Sequence, residues 1–285
     1  MIEDVVRVST GPGLVGVLCH LDPSEGADDL GAILLDVGLR YRVGPSRLYV
    51  RIARALAARG IPTLRFDFSG VGDSPLRRDA LPFSESGPLE TVGAMDWMAR
   101  AKGLERFVLI GICSGARVAF QTALRDERVA GIGLLNLRNL QEEEYTDLRS
   151  VAQSYDTLRA VTDWSRWRRA ITGKSDFGAV LRSLARAAGR IAGRRAATDE
   201  AMEIPTQFRS LLARGTSVGL FFSEKEFGRR YLRLALGREY TDLVREPGVT
   251  ECLISRSDHL FTSAESQRVL LEGLEAWTLA VRDRI

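Results

Sequence analysis

The sequence predicts an α/β protein: a mostly parallel, doubly wound sheet with an antiparallel N-terminal hairpin. Three observations carry this. Apolar runs of strand length alternate with amphipathic stretches of ten or more residues from 30 to 139, which is the pattern of right-handed strand–helix–strand crossovers. The run LGAILLDVG (30–38) is apolar without a polar face, as a strand covered on both sides requires. The alternation then stops at Asn139 and resumes near residue 215, so a helical cap is expected between the sixth and seventh strands.

Each element has its own signal. DVVRVST alternates, GPG turns, and LVGVLCHL returns towards His20, a hairpin expected at one sheet edge. RLYVRIARALAARG has apolar residues at helical spacing and stops on Gly60. IPTLRFDF is the next strand, closed by the turn SGVGDSP. ETVGAMDWMARAKG reads as a helix, RFVLIGI as a strand, SGARVAFQTALRD as a helix and VAGIGLLNL as a strand. From Leu140 to about Arg214 the chain is polar, aromatic and arginine-rich, with helical patterning in FGAVLRSLARAAGRIAGRR. SVGLFFSEKE, GRRYLRLALG, VTECLISRS and SAESQRVLLEGLEAWTLAVRD restore the alternation. The expected organisation is a core of residues 1–139 and 215–285 with a cap insertion at 140–214.

Composition narrows the class. A length of 285 residues suits one large α/β domain with an insertion. MIEDVVRV offers no basic region followed by an apolar one, so no signal peptide is read, and no apolar run approaches the roughly 18 residues of a membrane span. Cys19, Cys113 and Cys252 form neither an even disulfide framework nor a metal-like spacing, which predicts a reducing cytoplasm and no structural metal; no cofactor is implied. Only three lysines occur, so nearly every cation is arginine. No nucleic-acid-binding module is visible.

The chemistry concentrates in LIGICSGARVAF (109–120). This stretch resembles the nucleophile elbow G-x-S-x-G of the α/β-hydrolases, with cysteine in the serine's place. The elbow holds its central residue in strained backbone geometry, so the positions two either side must be small. Gly111 and Gly115 satisfy that about Cys113, whereas Ile112 and Ala116 flank Ser114 poorly. Cys113 is therefore the expected nucleophile, and a helix N-terminus and a neighbouring imidazole would both favour its thiolate. The alternative is an inert buried thiol.

Partners follow from chain order, which in this fold runs nucleophile, acid, histidine. Of the two histidines, His20 precedes the elbow, whereas His259 in SRSDHLFTS follows the last strand. His259 is the expected base. The acid should follow the seventh strand: Glu226 is favoured, Glu224 is the alternative, and Asp258 is discounted because it adjoins His259. The resemblance implies an oxyanion hole from the backbone N–H groups of Ser114 and, in the loop after the third strand, Leu39, with Gly38 allowing the bend.

RFDFSGVGDS (65–74) further resembles the D-x-x-G-x-G-x-S turn of bacterial hydrolases of the serine-aminopeptidase-like group. With RVGPSRLYVRIARALAARG, WRRAITGKSDF, FFSEKEFG and DHLFTS, most of the chain is similar to exosortase-associated and natural-product-cluster hydrolases. Asp67, Gly70, Gly72 and Asp73 are expected to shape a turn without catalysing anything. The departure is Cys113; dienelactone hydrolases use a Cys-acid-His set, but the rest of this chain resembles them less.

A sulfur nucleophile makes an acyl-thioester, isoenergetic with acyl-pantetheine donors, which leans towards acyl transfer or thioester exchange while leaving hydrolysis open. Nine arginines between Arg159 and Arg195 crowd the expected cap. They read either as a solvated helical face or as a basic lid for an acyl or peptidyl carrier protein, coenzyme A or an anionic substrate. Trp164, Trp167 and Phe177 would line an acyl pocket or pack the cap. The expected function is thus acyl transfer on an ester or thioester in bacterial secondary metabolism. The competing expectation is an inactive protein of this fold that binds a carrier or partner.

Overall fold

The computed structural model describes residues 1–8, 13–22, 29–36, 40–79, 81–140, 203–224 and 226–285. By its contacts the chain divides into Met1–Leu140 with Gln207–Ile285, and Gln141–Thr206. The first unit contains an eight-stranded sheet. Its strands are β1 (Ile2–Val8), β2 (Leu14–His20), β3 (Leu30–Leu35), β4 (Thr63–Phe66), β5 (Arg106–Ile112), β6 (Val129–Leu135), β7 (Ser217–Ser223) and β8 (Val249–Ile254), in the order β1-β2-β4-β3-β5-β6-β7-β8. β2 pairs antiparallel with both β1 and β4, and every other pair is parallel. The expected hairpin is therefore the sheet edge, and the apolar run at 30–35 is a central strand buried along its whole length.

The described helices are α1 (Leu48–Ala57), α2 (Phe83–Lys102), α3 (Ser114–Arg125), α4 (Glu203–Ala213), α5 (Phe227–Leu236), α6 (Glu239–Leu243) and α7 (Ala264–Arg282). α1 and α7 pack together, as do α2 and α3. α2 starts well before the ETVGAMDWMARAKG stretch because it runs through Pro88. A proline there removes one backbone donor and is expected to break a helix. Packing against α3 outweighs this, with Gly87 bringing the backbone close to Val118. Of the expected cap, Leu140 and residues 203–214 are described, with Phe208 of α4 against Phe120 of α3 at 4.8 Å; residues 141–202 lie outside the described residues.

Glycines decide how α7 meets the sheet. A Cβ on Gly133 of β6 would meet Trp277 at 3.2 Å, and one on Gly219 of β7 would meet it at 2.9 Å. Gly131 likewise faces Trp277 and Val281. The apolar strand residues supply burial, and the glycines leave the volume that the indole fills. The parallel strands then deliver their C-terminal ends to one edge, where open α/β sheets place their sites.

Candidate active site

Cys113 sits between β5 and α3 with φ 54° and ψ −111°, a conformation that L-residues seldom adopt. The surrounding packing enforces it. A Cβ on Gly111 would overlap the Gly115 carbonyl, and one on Gly115 would overlap the Leu35 carbonyl oxygen. The two glycines flanking the elbow are therefore places where backbone touches backbone. Cys113 N–H donates to Leu135 O of β6 at 2.9 Å, and Ile112 N–H donates to the buried Tyr49 hydroxyl at 3.1 Å. That hydroxyl donates to Leu35 O at 2.6 Å, so Tyr49 ties the end of β3 to the end of β5. Ser114 takes the first position of α3.

His259 lies beyond β8, and its Nδ1 is 2.8 Å from Glu226 Oε2. The Cys113 thiol is a hydrogen-bonding neighbour of the same imidazole and one of the groups that raise its pKa. Cys113, His259 and Glu226 thus form one contiguous chain, drawn from the ends of β5, β8 and β7. Glu226 is nearly buried, with a side chain 5% exposed, and its other oxygen accepts from Arg138 Nε at 3.0 Å.

The electrostatics follow. Burial lowers the His259 pKa, but hydrogen bonds to Cys113 and Glu226, with the Glu226 charge, override it and push it up to about 9; the Arg138 charge acts in the opposite direction. Burial raises the Glu226 carboxyl, yet the bond and charge of His259 and then Arg138 hold it below the ordinary value.

The remaining expected residues fall elsewhere. Glu224 is exposed and accepts from Arg256 N–H at 3.1 Å, away from His259. Asp258 turns back into its own loop, accepting from Leu260 N–H and Thr262 N–H at 3.2 and 2.9 Å. Gly38 and Leu39 lie outside the described residues. Asp67 is buried and accepts from Arg42 N–H at 2.6 Å and Asp73 N–H at 3.1 Å, while Ser74 donates its hydroxyl to Asp67 O at 2.7 Å. These bonds shape the turn and involve none of the three chain members. His20 pairs with Asp4 on the hairpin. Among the described residues no group of three His, Cys, Asp or Glu could hold a metal ion, and no helix is long and apolar enough to cross a membrane.

Sequence reasoning missed Arg138, Asn136, Ser223 and Tyr49. Asn136 was open to detection as the one polar residue of the apolar run VAGIGLLNL, a position just past the C-terminal end of a central strand.

Comparison with known proteins agrees with this architecture. The family model described as alpha/beta hydrolase fold matches residues 43–210, more than half of the chain. The structure is similar to an α/β serine hydrolase homologue from Coxiella burnetii: 14% identity, 100% of this chain and 97% of that one covered, TM-score 0.55. It is also similar to an esterase from Pyrococcus furiosus, at 15% identity, 97% and 91% coverage and TM-score 0.58. Mouse α/β hydrolase domain-containing protein 10 shows 13% identity, 99% and 100% coverage and TM-score 0.56. No curated protein sequence matches. A sheet with its elbow after β5, and the match of a family model over more than half of the chain, make one statement: the chain belongs to the α/β-hydrolase fold family.

Proposed function

We propose that the protein is an acyl-transfer enzyme that works through an acyl-Cys113 intermediate, with His259 as proton carrier and Glu226 as the acid that orients it. The observation that carries this reading is the strained Cys113 at the elbow in hydrogen-bonding contact with an imidazole whose other nitrogen meets a buried carboxylate. That arrangement supplies a nucleophile, a base and an orienting group in contact.

His259 accepts the Cys113 thiol proton, and Glu226 holds the resulting imidazolium, whose pKa is pushed up to about 9. The thiolate attacks the acyl carbon of an ester or thioester, and the C–S bond forms. The tetrahedral oxyanion is held by the Ser114 and Leu39 backbone N–H groups. The C–O or C–S bond to the leaving group breaks as His259 gives up its proton to it. Acylation then removes the Cys113 hydrogen bond that helped raise the histidine, while burial continues to lower it. The imidazole becomes a better base at neutral pH for the incoming acceptor, which attacks the thioester and releases the thiol.

The acceptor is water or an amine, alcohol or thiol. A thioester intermediate favours acyl donors of equal energy, such as acyl-pantetheine on a carrier protein or coenzyme A, with the arginine-rich 140–214 segment as the cap that meets the anionic carrier. Such chemistry fits biosynthesis of secondary metabolites in a bacterial cytoplasm, where thiols stay reduced.

Intact mass after mixing with a panel of acyl-pantetheine thioesters tests this, with Cys113→Ala alongside. The expected result is an acyl adduct on the wild type that the variant lacks. Its lifetime in water against its lifetime with amine or thiol separates hydrolase from transferase. No adduct and no turnover, with Cys113 no more reactive than Cys19 and Cys252, would replace this reading by that of a binding protein.

A further inference from the structure

Asn136 and Ser223 are both buried, adjacent across the ends of β6 and β7, and absent from the chain Cys113–His259–Glu226. The regular ladder pairs Leu135 with Phe221, and Asn136 N–H extends it to Phe221 O at 2.8 Å. Asn136 then departs with φ 43°, and its carboxamide replaces the backbone as partner of β7. Its Oδ1 accepts from Ser223 N–H at 2.8 Å. Its Nδ2 donates to Ser223 Oγ at 2.8 Å and to the His259 carbonyl at 2.7 Å. The Ser223 hydroxyl donates in turn to the Asp258 carbonyl at 2.6 Å.

Ser223 also reaches the acid: its carbonyl accepts from Glu226 N–H at 3.0 Å. One serine therefore holds the backbone of Glu226 on one side and the backbone just before His259 on the other. Asn136 holds the serine and His259 itself. Buried amide and hydroxyl bonds of this kind leave desolvated carbonyls behind when broken, so the loop is fixed in place rather than merely touched.

We propose that Asn136 and Ser223 are positioning residues that set the His259 imidazole between Glu226 and Cys113; this rests on the acyl-cysteine reading above. Without them the Nδ1···Oε2 contact of 2.8 Å has no fixed base, although both side chains remain. The charged and titratable groups that bear on the imidazole are Cys113 from the elbow, Glu226 beyond β7 and Arg138 beyond β6. Asp258 and Glu224 are bonded within or to the loop and face away.

The test reads the thiol–imidazole pair without needing a substrate. Alkylation of Cys113 by iodoacetamide is followed by mass and peptide mapping from pH 5 to 10. The proteins are wild type, His259→Ala, Glu226→Gln, Asn136→Ala, Ser223→Ala and Ser223→Thr, each checked for a cooperative melt. Ser223→Ala and Asn136→Ala are expected to fall at least fivefold at pH 7 and to take on the pH profile of His259→Ala, while Ser223→Thr, which keeps the hydroxyl, stays nearer the wild type. A folded Ser223→Ala whose profile coincides with the wild type, while His259→Ala departs, would overturn the positioning role alone. If His259→Ala itself coincides with the wild type, the acyl-cysteine reading fails and the positioning role fails with it.

Discussion

Arg138 and His259 share Glu226, one on each carboxylate oxygen: Arg138 Nε lies 3.0 Å from Oε1 and His259 Nδ1 lies 2.8 Å from Oε2. The cation thus balances the charge of the carboxylate that supports the imidazolium, and its own field lowers the His259 pKa. Arg138→Gln is expected to raise that pKa further. NMR titration of the His259 imidazole in the variant and the wild type measures this; a pKa moved downward would contradict it.

Stability should carry the same signature. The folded pKa of His259 is raised from 6.5 to about 9, so its contribution is full below pH 6.5 and is lost as pH rises through about 9. Glu226 has the opposite sign: its pKa is lowered from 4.5, so its contribution is present above that value and lost as pH falls through the folded pKa. The difference in Tm between wild type and His259→Ala should therefore shrink between pH 6.5 and 9. Thermal melts across that range check it.

Loss of the proton carrier should be severe. His259→Ala is expected to slow acylation by roughly 10²–10⁴-fold, the usual range for general acid–base groups. Single-turnover acylation followed by mass measures it, and an unchanged rate would remove His259 from the mechanism.

Cys113→Ser tests what the sulfur is for. An oxygen ester forms in place of a thioester, so the adduct should resist neutral hydroxylamine and pass less of its acyl group to amines and thiols than to water. The partition between products, compared with the wild type, decides it. Equal partition would mean that the sulfur does not direct transfer.

The glycine floor under Trp277 predicts a purely structural defect. Gly219→Ala places a methyl 2.9 Å from the indole and 2.7 Å from the Phe221 ring, an overpacking worth about 1–3 kcal/mol. Urea denaturation should show that loss, and Cys113 alkylation in the folded variant should be unchanged.

How much of this was legible differs by element. Strand–helix alternation yields the sheet, because a strand buried on both faces must be apolar throughout and a crossover helix must be amphipathic. The elbow is legible because a backbone-to-backbone contact at Gly111 and Gly115 admits no side chain, and that leaves a mark two residues either side of Cys113. His259 follows from chain order and the presence of only two histidines. The start of α2 was not legible, since the proline rule is local and the contact between Gly87 and Val118 is not.

The sequence by itself determined the fold and singled out Cys113 and His259 as candidates, because strand–helix periodicity, the glycines flanking Cys113 and the chain order of the two histidines are all written in the chain. Only the tertiary structure shows which of Glu226 and Glu224, two residues apart and alike in chemistry, meets the imidazole: Glu226 bonds His259 and Glu224 accepts from Arg256. Only it could show Asn136 bonded to Ser223 and to His259, partners 87 and 123 residues away. A hydrogen bond at that separation imposes no periodicity on the chain; it exists only once the ends of β6, β7 and β8 lie side by side.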